Sequence, residues 1–255
     1  MGGIVIGSLL FLLGMLFLWL TGSSRGKLAK IQETRTSSAR ELADRCRPGA
    51  GQGQTTVEVK GTVRCDRPLT GEMSRQPCVY YHARESEKTE TTRVSYHKGR
   101  RRHSTSTSYR TLREATHRVA FEVEDHTGRV QVIPEGAEIE GDQVVDRFQS
   151  TGGGGEGFFG SLFGRAEGTR ILGVRFTETI LPLNRPVYIL GALGLVDGKP
   201  AVRKPVTADG VFLISRKSEE ELVSGLRWQI GLLTTGAVLA FLGGVAAILT
   251  GLGTR

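Results

Sequence analysis

Charged side chains are missing from both ends of this 255-residue chain, and no other feature constrains its fold as strongly. All 26 acidic residues and 33 of the 34 basic residues lie between Arg25 and Arg227, and Arg255 is the exception. The middle of the chain therefore carries 33 − 26 = +7 formal charges, while both ends are apolar. This segregation excludes a plain soluble globule, a disulfide-stapled secreted domain and a polytopic transporter.

The two apolar ends have the length of membrane helices. Residues 1–24 form the first, and its apolar core at residues 4–20 spans about 26 Å as a helix. No Lys or Arg precedes this core and no small-residue cleavage site follows it, which argues against a secretory signal peptide. Residues 228–253 form the second. Small residues spaced four apart favour close helix packing there, within one chain or between two: Gly236, Ala240 and Gly244.

The cations beside the apolar ends predict the topology. They are Arg25, Lys27, Lys30 and Arg35 after the first helix, and Arg216, Lys217 and Arg227 before the second. Lys and Arg close to a membrane favour its cytoplasmic side, so we expect a two-span integral membrane protein with a cytoplasmic middle domain.

The region between the membrane helices divides into three parts. Residues 25–53 are a juxtamembrane segment, with a short helix expected around residues 28–46. Residues 54–217 alternate between apolar and polar side chains, as half-buried strands do, and predict one β-rich domain. Residues 218–227 are a connecting helix, because Ser218 and Glu221 have the spacing of a capping box.

The expected fold class is α+β and membrane-anchored. About eight short strands would form a partly open barrel or a sandwich between the two transmembrane helices. Residues 87–117 are polar and rich in Thr, Ser and Arg, and are interpreted as a flexible loop or a long hairpin. Residues 151–168 are Gly-rich and are interpreted as a second flexible loop.

Two surface features suggest contact with a membrane or a partner. The first is a run of cations that suits anionic lipid headgroups and equally suits a solvated loop tip: Lys98, Arg100, Arg101 and Arg102. No aromatic residue interleaves these cations, so nucleic acid is not the expected ligand. The second is an apolar cluster in the Gly-rich loop, which could enter the membrane interface, bind a partner's groove or cover the core: Phe158, Phe159, Leu162 and Phe163.

Several segments resemble the GIDE family, whose "beside a membrane" domain occurs in MULAN-type mitochondrial ubiquitin ligases and their prokaryotic relatives. These segments are ETRTSSARELAD, VEVKGTVRCDRPLT, PCVYY, FEVEDHTGRVQVIPEGAEI and FTETILPLNRPVYILGAL, followed by the closing apolar helix. The resemblance marks six motif positions: Cys78, Tyr80, Tyr81, Asp125, Gly128 and Glu178. It implies a two-span protein and, in the eukaryotic members, RING-type E3 ubiquitin transfer; in the mitochondrial relatives the domain faces the intermembrane space.

RING chemistry needs two zinc ions held by Cys and His pairs. Cys46, Cys65 and Cys78 are 19 and 13 residues apart, and no Cys or His follows Trp228. We therefore expect no catalytic residue, metal site or cofactor in this chain. The expected function is a non-enzymatic scaffold, adaptor or lipid sensor with a protein partner. The alternative is a role in ubiquitin transfer, with the RING absent or on another chain. Assembly as a homo-oligomer is left open under either function.

Overall fold

The computed structural model describes residues 2–46, 55–97, 100–150, 168–207 and 210–253. These residues contain three helices: α1 Gly2–Glu33, α2 Ala39–Arg45 and α3 Glu219–Gly253. The first strands in chain order are β1 Thr56–Arg64, β2 Leu69–Thr70, β3 Pro77–His97, β4 Arg100–Arg118, β5 Phe121–Asp125 and β6 Gly128–Val132. The remaining strands are β7 Glu138–Glu140, β8 Asp142–Ser150, β9 Gly168–Pro182, β10 Pro186–Val196, β11 Lys199–Arg203 and β12 Leu213–Ser215.

The predicted fold class is confirmed, since two long apolar helices flank a β-rich domain. Both helices are long and apolar enough to cross a membrane. The described part of the chain has twelve strands rather than about eight. Most of the additional strands are short or polar on both faces, so apolar alternation could not reveal them.

Helices α1 and α3 pack against each other in antiparallel directions, through small residues on α3. A methyl group added at Gly236 would lie 3.0 Å from the Phe17 ring, and one added at Gly244 would lie 3.0 Å from the Phe11 ring. Ala240, between them, is buried. Gly236, Ala240 and Gly244 thus lie on the face of α3 that meets α1, where absent side chains allow close approach.

The helix expected around residues 28–46 is two helices in the structure. Its first part continues α1 without a break to Glu33. The chain is then extended, because Thr36 pairs with Glu58 of β1 and the Ser37 N–H donates to the Glu58 carbonyl. A capping box formed by Ser38 and Glu41 starts the separate helix α2.

A capping box also starts α3, as its sequence spacing predicts. The Ser218 N–H donates to Glu221 Oε2 at 2.9 Å, and the Glu221 N–H donates to Ser218 Oγ at 3.2 Å. From there α3 runs unbroken to Gly253, so the connecting segment and the apolar segment are one rigid helix.

Five strands close into a small barrel in the ring order β1-β5-β6-β11-β10-β1. The barrel interpretation is confirmed, and the ring is closed rather than partly open. Inward side chains such as Val59, Val123, Val132, Ile189 and Val202 are fully buried in its core. The alternation predicted for residues 57–63 places all three valines of β1 inside.

Strand β10 is buried on both faces along most of its length. Val187 and Ile189 face the barrel core, whereas Tyr188 and Leu190 pack outside the barrel with Ile31 of α1. This double burial explains why the sequence of β10 is almost continuously apolar.

A second sheet has the order β4-β3-β9-β8, with β2 pairing at the start of β3. Of the two interpretations of residues 87–117, the long hairpin is confirmed and the flexible loop is wrong: residues 87–97 and 100–117 belong to β3 and β4, which pair in continuous register except at one bulge. Cross-strand Thr–Ser hydrogen bonds and ion pairs stabilise this polar sheet without an apolar core. We call residues 84–97 and 100–114, with the parts of β8 and β9 beside them, the arm.

The β5–β6 turn holds α2 against the barrel. Asp125 Oδ2 accepts the Ala39 N–H at 2.8 Å, and Oδ1 accepts the Thr127 N–H at 2.6 Å. Gly128 completes the turn with φ at 153°, which favours glycine. Burial by itself would raise the pKa of Asp125, but bonds from the Thr127 side chain and from backbone N–H groups lower it.

Replacing Asp125 with Asn removes this acid-sensitive contact. Because the folded-state pKa is lowered, the carboxylate stabilises the fold above its ordinary pKa, and this contribution is lost as the pH falls through the folded-state pKa. We expect Asp125→Asn to cost about 1 kcal/mol at pH 7 and to flatten the loss of stability that occurs as the pH falls below the ordinary pKa of an aspartate. Thermal unfolding of the full chain in detergent measures both effects. The exposed Asp66→Asn is the matched control, and an identical pH profile in the two variants contradicts the assignment.

Candidate functional site at the junction of barrel and helices

The side chain of Glu58 points out of the barrel but is only 1% exposed. Its carboxyl accepts a hydrogen bond from the Tyr188 hydroxyl at 2.9 Å and another from the Thr36 hydroxyl. Lys60 Nζ lies 3.1 Å from Glu58 Oε1. A buried carboxyl is costly unless it is paired in this way, so these contacts account for its position.

The network continues into the start of α3. Lys60 Nζ donates to Glu219 Oε2 at 2.6 Å and lies 5.8 Å from the centre of the Tyr188 ring. Lys60 thus joins the barrel to α3, while Thr36 joins the barrel to the segment after α1. We call Thr36, Glu58, Lys60, Tyr188 and Glu219 the junction network.

Protonation is well defined for two members of this network. Burial first, and the hydrogen bond to Glu58 second, raise the pKa of the Tyr188 hydroxyl far above its usual range. Burial alone would lower the pKa of Lys60, but its bonds to Glu219 and Glu58 raise it. Tyr188 therefore remains a neutral donor and Lys60 a cation at neutral pH.

An apolar cluster supports the junction network. Ile31 of α1, Leu190 of β10, Leu213 of β12 and Leu222 of α3 are all buried and pack together with Tyr188. Both helix ends are therefore packed directly onto the barrel wall rather than joined to it by a flexible linker. The barrel and the helix pair form one packed unit.

Ion pairs surround the junction on strands β7 and β8. Glu138 pairs with Lys27 of α1, Glu140 lies 3.1 Å from Lys217, and Asp142 lies 3.1 Å from Arg216. Three of the seven cations beside the helices that predict the topology therefore also tie the helices to the β-rich domain. These pairs are partly exposed, so each is worth little by itself.

A groove of about 740 Å³ opens beside the junction network. Its walls come from β1, the β5–β6 turn, β10 and the start of α3. The lysines and arginine that line it, Lys60, Arg216 and Lys217, are all engaged in ion pairs within the chain. The groove has the size of a small-molecule site, and its charged lining suits recognition of a polar group.

The six motif positions that the resemblance to the GIDE family marks have structural roles. Glu178 of β9 is fully buried, and its carboxyl accepts the N–H groups of Met73 and Ser74 at 2.9 and 2.8 Å. Burial alone would raise the pKa of Glu178, but these bonds lower it. Glu178 thus holds the turn between β2 and β3 as an ionised acceptor.

Cys78, at the start of β3, is buried beside Glu178. Burial, and then the charge of Glu178, raise the pKa of its thiol to about 11, so it is not a reactive thiolate at neutral pH. Tyr80 packs against the barrel core, and Tyr81 stacks near His117 with ring centres 5.1 Å apart. Asp125 and Gly128 form the turn that holds α2.

The structure brings few of the sequence-predicted contact residues together. Arg102 is exposed on β4, and for Arg100 and Arg101 only the backbone of that strand is described. Lys98 lies outside the described residues, as do Phe158, Phe159, Leu162 and Phe163. Headgroup contact by the cations and membrane contact by the phenylalanines therefore stay predictions.

The sequence did not reveal the junction network. Glu58 and Lys60 alternate with buried valines, so both were expected on a solvent-facing strand surface. Only the packing of the helix ends on that surface buries Glu58. The one sequence feature that could have indicated this burial is the aromatic residue Tyr188, which lies on the outer face of a strand that is otherwise aliphatic. In the described parts of the chain, no three His, Cys, Asp or Glu side chains are grouped so that they could hold a metal ion.

One comparison with known proteins gave a match. The profile of a family described as GIDE, E3 ubiquitin ligase, matches residues 90–249, more than half of the chain. The match runs from the arm through the later barrel strands into α3. Comparisons with curated proteins and with solved structures gave no significant match.

Replacing Tyr188 with Phe tests the junction network. The variant keeps the ring in its apolar cluster but leaves the buried Glu58 carboxyl without one donor. We expect a loss of about 1–3 kcal/mol in the free energy of unfolding. Thermal unfolding of the full chain in detergent measures it. Tyr109→Phe, on the exposed face of the arm, is the matched control, and an equal effect of both variants contradicts the role of the network.

Proposed function

This chain belongs to the GIDE family, and from that premise we propose that it is a two-span membrane protein that holds its β-rich domain rigidly against one face of a bilayer. In that position the domain acts as a scaffold that presents the arm to a protein partner. One observation carries the proposal: the uncharged parts of α1 and α3 end at the same height.

The packing of α1 and α3 fixes that height. Phe17 contacts α3 at Gly236. The first uncharged run ends at Ser24, seven residues after Phe17, and the second begins at Trp228, eight residues before Gly236. At about 1.5 Å per residue these two ends differ in height by only about one residue. A shared boundary is what a flat membrane surface requires of two spanning helices.

The side chains around the helix pair support the same placement. Large apolar residues point outward on all sides, and those more than 60% exposed are Leu9, Leu12, Met15, Trp19, Trp228, Leu239, Leu242 and Leu249. In water such a surface would drive association, whereas lipid tails cover it without cost. The two tryptophans lie towards the charged end of the pair, where aromatic residues favour the interface.

We further propose that the β-rich domain lies on the cytoplasmic side. In the helical turns that follow the first apolar segment there are three cations: Arg25, Lys27 and Lys30. Arg227 directly precedes the second apolar segment. Cations this close to a span favour the cytoplasmic side during insertion.

The arm is the surface that suits a partner. Residues 84–97 extend about 46 Å as a strand. Among the described strands β4 pairs only with β3, so its outer edge presents backbone N–H and C=O groups along most of its 19 residues. Positively and negatively charged side chains cover this sheet. Such a surface suits a polar protein surface or an added strand better than an apolar ligand.

The family description supports a second candidate function, a role in ubiquitin transfer. This role is compatible with the same architecture, because a scaffold at the membrane can bring substrate and ligase together. The two candidates differ in whether this chain itself transfers ubiquitin.

Insertion and orientation are tested with cysteine labelling in sealed vesicles of known sidedness. In a Cys46→Ala, Cys65→Ala background, we expect Ser104→Cys on the arm to react with an impermeant maleimide only from the cytoplasmic side. Arg255→Cys should react only from the opposite side. The reverse pattern contradicts the orientation. Release of the chain by alkaline carbonate contradicts insertion itself.

Ubiquitin transfer is tested with the purified full chain, activating and conjugating enzymes, ubiquitin and ATP. We expect no conjugates above a control without the chain, and less than about one zinc ion per chain by elemental analysis. A RING ligase assayed in parallel shows that the assay works. Conjugates that require the chain, or more than one zinc ion bound to it, would favour the ligase function over the scaffold.

A further inference from the structure

A second cavity lies between α1 and α3 directly beneath the barrel. Its volume is about 320 Å³. Its walls are formed by matched pairs of residues on the two helices, and its roof is formed by Leu213 of β12 with Glu138 and Glu140 of β7. We call this cavity the cleft.

The register of the helices gives the height of the cleft. Leu20 and Leu233 are each three residues from the Phe17–Gly236 contact, on its barrel side. Ser24 and Gln229 are each seven residues from it, at the boundary where charge begins. The cleft therefore crosses the proposed membrane surface, so this inference rests on the proposed insertion.

The charged residues that line the cleft lie at its barrel end. Leu20 and Leu233 line its lower end, the hydroxyl of Ser24 and the amide of Gln229 follow, and Lys27, Glu138 and Glu140 lie at the top, where Leu226, Leu222 and Ile31 also line the wall. A glycerophospholipid has the same order of apolar chain, ester-linked glycerol and charged headgroup. Lipid in the surrounding leaflet would lie at the level of the lower end and could enter without crossing a polar barrier.

The charges at the top select the headgroup. Lys27 can donate to a phosphate, while Glu138 and Glu140 can accept from an ammonium. The side chains of Lys27 and Glu138 are 35% and 53% exposed, and those of Lys217 and Glu140 are 58% and 34% exposed, so both ion pairs can open to a ligand. None of the described residues that line the cleft is aromatic. A quaternary ammonium prefers aromatic cages, whereas a primary ammonium donates directly to carboxylates.

We propose that the cleft binds one glycerophospholipid with a phosphoethanolamine headgroup. The phosphate contacts Lys27, the ammonium contacts Glu138 and Glu140, and the upper part of one acyl chain lies against Leu20 and Leu233. The bound lipid touches α1, α3 and the barrel at once. Its presence therefore stabilises the junction and links the position of the domain to the composition of the leaflet.

Native mass spectrometry of the full chain in detergent tests the site. The probes are phosphatidylethanolamine, phosphatidylcholine and phosphatidylglycerol with identical acyl chains. We expect one retained phosphatidylethanolamine per chain, in preference to the other two lipids. Leu226→Trp fills the cleft and should lower this retention about tenfold. Leu239→Trp, on the outer lipid-facing surface, is the matched control and should retain lipid like the wild type.

A second variant separates headgroup selection from folding. Glu138→Gln combined with Glu140→Gln should abolish the preference for phosphatidylethanolamine over phosphatidylcholine without emptying the cleft. Equal retention by Leu226→Trp and Leu239→Trp overturns the site, and a preference for phosphatidylglycerol overturns the headgroup assignment. If alkaline carbonate does not extract the chain, either of these two results refutes the cleft alone. If carbonate does extract it, the proposed membrane insertion is refuted as well.

Discussion

The buried carboxyl of Glu58 is the constraint on which the rest of the architecture depends. A carboxyl removed from water must be paired, and here its partners come from three places: the segment after α1, strand β10 and its own strand β1. Lys60 carries the same network to α3 through Glu219. The contacts of one buried group therefore tie the barrel to the segment after α1 directly and to α3 through Lys60, and a shift of the segment after α1 would cost Glu58 one of its partners.

This placement connects the three features proposed to matter for function. The uncharged parts of α1 and α3 end at one height because Phe17 packs at Gly236. The absence of side chains at Gly236 and Gly244 lets the two helices approach closely. The cleft exists because Leu213 of β12 and Glu138 and Glu140 of β7 cover the space between the helices just above that height. The arm continues from strands whose inner ends lie in or beside the barrel core, at Val79 and Leu181, so the proposed binding surface is joined directly to the barrel. A scaffold needs this kind of rigid connection between its binding surface and its anchor.

Local signals in the sequence were reliable wherever a short stretch carries its own physical reason. The capping box at Ser218 and the apolar–polar alternation in β1 are both present as predicted. The sequence could not decide between a flexible loop and a hairpin for the arm, because its strands are polar on both faces and show no apolar period. Its order depends on cross-strand pairs such as Arg110 with Glu87 and Thr89 with Ser108, which join residues about twenty positions apart.

The sequence alone determined the two apolar helices, the β-rich character of the middle and the family, because each follows from composition, local period or ordered motifs. The tertiary structure decided the closure of the barrel, the burial of Glu58, the shared height of the charge boundaries and the lining of the cleft. The physical reason is the same in each case. These features depend on which surfaces meet after folding, and a side chain such as Glu58 has the same local pattern whether water or a helix end covers it.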